Sequence, residues 1–295
     1  MNPLLEARID VSCRDASGQR KQILRDFTLS LRQGEIFSLA GQSGSGKSTF
    51  ALSVLGLLPR PAFSVIGRML FNGRDLLTNP ERELRQLRGR RIALVPQSPL
   101  AALNPRLRLG TMFCEAWQAH AGRNGDWRAE ARAALSAVEL PSDEEFLARY
   151  PKQLSVGMAQ RVLIAMAVLH RPELLIADEA TSALDLITQA EVLELFRRLN
   201  NQHGTTLLFI THDLAAAASL CHRAGVLHEG RLVECGTVDE VFRRPRHEYT
   251  RRLLNALPKA VPVEDLRQDP GDLEDGAVVD AACRGLHSTQ GVAAE

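Results

Sequence analysis

The stretch Gly41-Gln42-Ser43-Gly44-Ser45-Gly46-Lys47-Ser48 decides how this chain is read. It follows Ile36–Ala40, an apolar run that reads as a buried strand, and it opens a helical pattern from Lys47 to about Leu58 that Pro59 and Pro61 end. Glycines in such a loop let the backbone curl until several N–H groups point at one centre, an arrangement suited to phosphate oxygens. The helix opening near Lys47 adds the positive end of its dipole. Lys47 carries a mobile charge for the β- and γ-phosphates of ATP, and the Ser48 hydroxyl is placed to ligate Mg²⁺. The spacing G-x-x-x-x-G-K-[ST] arises by chance in roughly 1% of chains this long, so the match is taken as a nucleotide site.

A second stretch completes the local chemistry. Leu174-Leu175-Ile176-Ala177 is an apolar strand that ends in Asp178-Glu179. Acids at the end of a buried strand sit at the carboxyl edge of the sheet, where ligands bind in open α/β folds. Asp178 is expected to hold Mg²⁺ through water, and Glu179 to polarise the attacking water as general base. On its own the pattern is as often a strand end with solvated carboxylates. Beside the phosphate loop it supplies the acid that a metal–nucleotide site needs.

The rest of the chain fits a parallel sheet covered on both faces. Residues 1–34 read as short strands around a turn at Gly18, and Arg91–Pro96 and Thr205–Thr211 as further buried strands. Helices are expected at Val156–Leu169, around Gln189–Asn200 and from Leu214, with a hairpin at Ala224–Cys235 turning on Glu229-Gly230. Strands alternating with helices give the parallel arrangement. From Ser98 to about Lys152 the pattern turns helical and polar and interrupts the alternation, which marks an inserted subdomain. Residues 259–295 carry little periodicity and read as a poorly ordered tail.

Composition narrows the function classes. The 295 residues, 45% hydrophobic and 24% charged, are an ordinary globular mix, and a net charge of +1 argues against a protein built to coat nucleic acid. The run Arg243, Arg244, Arg246, Arg251 and Arg252 reads as a solvated helix face or a contact with lipid headgroups or a partner. The longest apolar run, Val162–Leu169, falls well short of the roughly 20 residues that span a bilayer. Residues 1–10 lack the pattern of a signal peptide. Cys13, Cys114, Cys221, Cys235 and Cys283 are scattered without metal or redox spacing and read as reduced thiols.

Between the two acidic and glycine-rich motifs lies Leu154-Ser155-Val156-Gly157-Met158-Ala159-Gln160-Arg161. This resembles the signature of the ATP-binding cassette (ABC) family, close to Leu-Ser-Gly-Gly-Gln. Other motifs of that family follow in order: Gln97 matches the Q-loop, Ser182-Ala183-Leu184-Asp185 the D-loop, and His212 the switch histidine. The resemblance covers about residues 4–258. It implies a P-loop NTPase of the ABC cassette type within residues 1–258. That fold has a RecA-like parallel-sheet core, an N-terminal antiparallel β subdomain and a helical subdomain inserted at about 98–170. It further implies that Gly41 to Ser48, Thr49 and Asp178 bind the nucleotide, with Ser48, Gln97 and Asp178 around Mg²⁺. Glu179, Gln97 and His212 are then the catalytic group. Ser155 and Gly157 cap ATP held by a second ABC ATPase chain, in a homo- or heterodimer, and Asp185 communicates across that interface.

Three positions depart from the family pattern. Val156 stands at the first signature glycine, and a β-branched side chain restricts backbone there. Ala180 replaces a proline. Cys13 occupies the position that stacks on adenine, and Phe27 is the only aromatic residue before the strand Ile36–Ala40 and reads as core. Two further stretches resemble the oligopeptide, dipeptide and nickel importer branch: Pro96-Gln97-Ser98-Pro99-Leu100-Ala101-Ala102-Leu103-Asn104-Pro105, and Pro245-Arg246-His247-Glu248-Tyr249-Thr250-Arg251-Arg252-Leu253-Leu254, where Glu248 replaces a proline. With only Cys283 in the tail, no iron–sulfur cluster is expected. The branch implies an ATPase peripheral to the cytoplasmic side of the inner membrane, with membrane permease subunits as partners. An extracytoplasmic solute-binding protein takes part indirectly, and no nucleic acid is involved. The alternative is a soluble cassette ATPase, such as a component of a phosphonate-degrading complex.

Overall fold

The computed structural model describes residues 3–14, 18–121 and 125–256. The expected tail at 259–295 and Cys283 lie outside the described residues. Strands β1 (Leu5–Arg14) and β2 (Arg20–Leu31) pair antiparallel, with Leu5, Ala7, Ile9 and Val11 turned inward and Glu6, Arg8 and Asp10 outward. That period of two is the mark of a sheet with one solvated face. By contrast β3 (Ile36–Ala40) is buried at every position, as a central parallel strand must be.

After β3 come the phosphate loop and α1 (Lys47–Val54), then β4 (Phe63–Phe71), β5 (Arg74–Asp75), α2 (Glu81–Leu87) and β6 (Ile92–Val95). A helical stretch follows: α3 (Pro99–Ala102), α4 (Leu109–Ala121), α5 (Trp127–Ala137), α6 (Glu144–Leu147) and α7 (Val156–Val168). The chain then alternates through β7 (Leu174–Asp178), α8 (Leu186–His203), β8 (Thr206–Thr211) and α9 (Leu214–Leu220). The hairpin of β9 (Arg223–His228) and β10 (Arg231–Thr237) leads to α10 (Glu248–Asn255).

The strands form two sheets. The first runs β2-β1-β4-β5 and is antiparallel; the second runs β10-β9-β3-β8-β7-β6 and is parallel but for β10 at its edge. One buried cluster joins both. It contains Ile9, Phe27 and Met69 from the first sheet, Phe37, Ile176 and Leu208 from the second, and Phe50 and Val54 of α1 between them. The rings of Phe27 and Phe50 lie 4.6 Å apart. Helix α1, which carries the phosphate loop at its start, is thereby fixed in the core. No helix among the described residues is long and apolar enough to cross a membrane.

The structure redraws some expected boundaries. Helix α1 stops at Val54, before the prolines. The N–H of Gly56 turns back to the Ser53 carbonyl (3.0 Å) and that of Leu57 to Leu52 (2.9 Å), a closed C-terminal turn that ends the helix without them. Helix α8 begins at Leu186, three residues before the expected Gln189, because the Asp185 carboxylate caps the N–H groups of Ile187 and Thr188. Strand β4 and helix α2 have no counterpart in the sequence reading.

Candidate functional site

Register brings the loops together. Ala40 of β3 pairs with Thr211 of β8, Asp178 of β7 with Ile210, and Val95 of β6 with Ala177. The carboxyl ends of four parallel strands therefore finish level. The segments that follow them — 41–48, 96–97, 178–179 and 211–213 — share one sheet edge, where such folds bind ligands.

The phosphate loop is held from beneath by the antiparallel sheet. Gly46 has φ 110°, and a Cβ there would lie 2.7 Å from Leu24 Cδ2 of β2, so only glycine fits. Lys47 is 4% exposed, and its Nζ donates to the carbonyls of Gly41 (2.7 Å) and Gln42 (2.9 Å). Burial pushes its pKa down, against the pull of Glu179 and Asp178. Inside the loop, Ser45 Oγ is buried without a hydrogen-bond partner. Thr49 lies in the first turn of α1, half-buried.

Across from the loop, Ser48 Oγ donates to Asp178 Oδ1 at 3.1 Å. Burial raises the Asp178 pKa and the Glu179 charge adds to it, while the Ser48 hydrogen bond and Lys47 oppose. Glu179 sits in the left-handed region, φ 49°, with its N–H bonded to the Ile210 carbonyl at 2.9 Å. A non-glycine residue held there by its neighbours is a strained position of the kind found at functional sites. Its carboxylate accepts from Gln97 Nε2 at 2.8 Å, and its other oxygen is 3.5 Å from His212 Nδ1. Lys47, Ser48, Asp178, Glu179, Gln97 and His212 thus form one cluster.

Ser155 and Gly157 stand apart from it. Ser155 caps α7, its Oγ accepting from the Met158 N–H at 3.2 Å, and Gly157 packs on Thr188 of α8. Among the described residues neither hydrogen-bonds a member of the cluster. Val156 opens α7 with helical backbone and is 39% exposed. The restriction expected from its branched side chain therefore does not distort this turn. Phe27 is fully buried, as read; Cys13 is half-buried, opposite Lys21 on β2 and Phe63 on β4.

Two supporting residues escape sequence reasoning. Gln189 Nε2 donates to Asp213 Oδ2 at 2.7 Å, and Asp213 caps α9 through the Ala216 N–H at 3.0 Å. Together they anchor the loop that carries His212. Asp213 before an Ala-rich helical run carries a capping signal; nothing local marks Gln189.

A family profile described as "ABC transporter" matches residues 24–182, and one described as "Oligopeptide/dipeptide transporter, C-terminal region" matches residues 233–284. The dipeptide transport ATP-binding protein DppD of Escherichia coli is 39% identical over 94% of this chain and 86% of its own length. The oligopeptide transport ATP-binding protein OppD of Salmonella typhimurium is 41% identical over 80% of this chain and 70% of its own. The peptidoglycan transport ATP-binding protein YejF of Agrobacterium fabrum is 45% identical over 88% of this chain, which spans only 48% of that longer protein. Among solved structures, the dimeric post-hydrolysis state of the ATP-binding cassette MJ0796 bound to ADP and Pi superposes with a TM-score of 0.69 at 26% identity. That match covers 79% of this chain and 98% of the other.

Proposed function

The chain belongs to the ABC transporter family, and from that premise we propose that it is the ATP-hydrolysing subunit of a membrane importer for dipeptides or oligopeptides. The observation that carries this reading is the cluster at the sheet edge, in which Lys47, Ser48, Asp178, Glu179, Gln97 and His212 converge. The transport names of the relatives, and the profile over residues 233–284, favour an importer over a soluble phosphonate-degrading assembly and peptides over nickel.

The phosphates of ATP lie against the loop from Gly41 to Ser48 and the start of α1 at Thr49. Lys47 exchanges its loop carbonyls for β- and γ-oxygens. The donors around Ser48 suit Mg²⁺: the Ser48 and Asp178 oxygens are hard ligands 3.1 Å apart, and the Gln97 side chain reaches Glu179, the residue after Asp178. When bound, Mg²⁺ neutralises charge developing on the β- and γ-phosphate oxygens. Glu179 takes a proton from the attacking water, and His212 fixes the Glu179 carboxylate and meets the γ-phosphate.

Ser155 and Gly157, which bond no member of this cluster among the described residues, supply the cap for ATP on a second cassette, and the dimeric cassette structure supports such a pairing. ATP closes the pair, hydrolysis releases it, and the helical stretch between β6 and β7 passes the movement to permease subunits. The chain then sits on the cytoplasmic face of the membrane, and an extracytoplasmic solute-binding protein delivers the peptide. Affinity purification from solubilised membranes tests this. A permease and a second cassette are expected to copurify with the tagged chain; recovery solely in membrane-free complexes would overturn the transport assignment.

A further inference from the structure

Gly157 lies at the second position of α7, in helical backbone, so no left-handed φ demands a glycine there. What demands it is Thr188. A Cβ on Gly157 would stand 2.6 Å from Thr188 Cγ2, nearer than two carbons can approach. Thr188 is not free to swing away. Branching at Cβ stiffens its χ1 in a helix. Its Oγ1 donates to Asp185 Oδ2 at 2.7 Å, and its N–H donates to Asp185 Oδ1 at 3.0 Å. The Ile187 N–H adds a bond to the same oxygen at 3.1 Å. Both oxygens of Asp185 are committed to this turn, and these bonds hold its carboxyl below the usual range.

One residue on, Gln189 reaches Asp213, next to His212, whose ring is 3.5 Å from the Glu179 carboxylate. The first turn of α8 therefore touches the start of α7 on one side and the His212 loop on the other.

We propose that Thr188 is a positioning residue whose methyl group sets the seam between α7 and α8, so that Ser155–Gly157 and the Asp185 turn move as one piece. This rests on the reading of Ser155 and Gly157 as the cap for another chain's nucleotide. It adds that glycine at 157 is imposed from within the chain, by Thr188, and not only by the approach of a phosphate.

The test is a double-substitution cycle in the intact transporter complex, read as Mg²⁺-ATP turnover. Absence of turnover in the unsubstituted complex would count against the ATPase reading itself, before the seam is probed. Gly157→Ala is expected to lower kcat by about tenfold or more, because its methyl pushes α7 off α8. Thr188→Ser deletes Cγ2 and keeps the hydroxyl on Asp185, so the double variant is expected to return to within about threefold of Thr188→Ser alone. A double variant as impaired as Gly157→Ala, or a Gly157→Ala variant with unimpaired turnover, overturns the proposal. Should Gly157→Ala not assemble, recovery of assembly in the double variant supports the seam, and failure of both overturns it. Melting temperatures of the assembled variants, expected to stay alike while kcat falls and recovers, separate positioning from general destabilisation.

Discussion

At the scale of single residues, the site is a compromise between stability and chemistry. Burial favours the neutral form of Asp178, so its pKa is raised. A carboxyl with a raised folded-state pKa stabilises the fold fully below its unfolded value, and that contribution is lost as pH rises through the folded value. At a pH above that folded value the ionised Asp178 is a burden on the fold. Asp178→Asn is expected to melt at a higher temperature than the parent at pH 7, with the gap narrowing toward pH 4, while Mg²⁺-dependent turnover falls by about a hundredfold or more. Differential scanning calorimetry across pH checks the first part and a phosphate-release assay the second. Lys47→Ala removes the buried charge that the loop carbonyls hold, and is expected to abolish ATP binding in equilibrium dialysis while the fold melts within a few degrees of the parent. These residues were legible in the sequence because phosphate and metal chemistry fix their identity and spacing. Thr188 and Gln189 were not, because their roles depend on what lies beside them in space, Gly157 of α7 against Thr188 and Asp213 at 2.7 Å from Gln189.

At the scale of elements, the same contrast holds. Strand β3 and strand β8 were legible as unbroken apolar runs because every position is buried. Helix α2 was invisible because its apolar face is only Leu84 and Leu87, half-buried against the core, with none of its residues fully buried. Strand β4 was invisible because its centre, Ile66 to Arg68, is exposed and interrupted by Gly67. Polar contacts add to the apolar packing of Met69 and Phe71 of β4. Glu173, just before β7, accepts from Arg91 at the head of β6, through Nε and through Nη2 at 3.0 Å, and from Asn72 Nδ2 in the turn after β4 at 2.6 Å. One carboxylate braces the antiparallel sheet to the parallel one. The Arg91 hydrogen bonds, with a smaller part from Asn72, lower the Glu173 pKa. A lowered carboxyl contributes stability above its unfolded value and loses it as pH falls through the folded value. Glu173→Gln is expected to cost about 0.5–1 kcal/mol at neutral pH and to flatten the fall in melting temperature below pH 5, as read by thermal melts from pH 7 to 3. A variant with the parent's acid sensitivity would remove Glu173 from that role. A second brace joins the helical stretch to α8: Glu139 takes Arg161 of α7 at 3.2 Å and Arg198 of α8 at 2.5 Å, and Arg161 also reaches Glu191 at 2.6 Å.

At the scale of the whole molecule, the chain divides, under the proposed function, into two half-sites. The phosphate loop, Asp178 and Glu179 gather at the end of the parallel sheet, and Ser155 caps a helix in which Gly157 packs on Thr188 of α8. Val156, Leu186 and Ile187 are left exposed at that second half-site, at 39%, 84% and 75%. An apolar edge beside unpaired helix N–H groups is what a second cassette would cover. The family resemblance of the motifs already implied this division, and in the fold Ser155 bonds no described member of the cluster at the sheet edge. The measurement closest to the centre of this reading is single-turnover and steady-state ATP hydrolysis by the assembled complex carrying Glu179→Gln. Retained ATP binding with turnover reduced by about a hundredfold or more is expected of a lost general base. Turnover within about twofold of the parent, with ATP bound equally well, would contradict the assignment of Glu179 and with it the chemistry placed at this sheet edge.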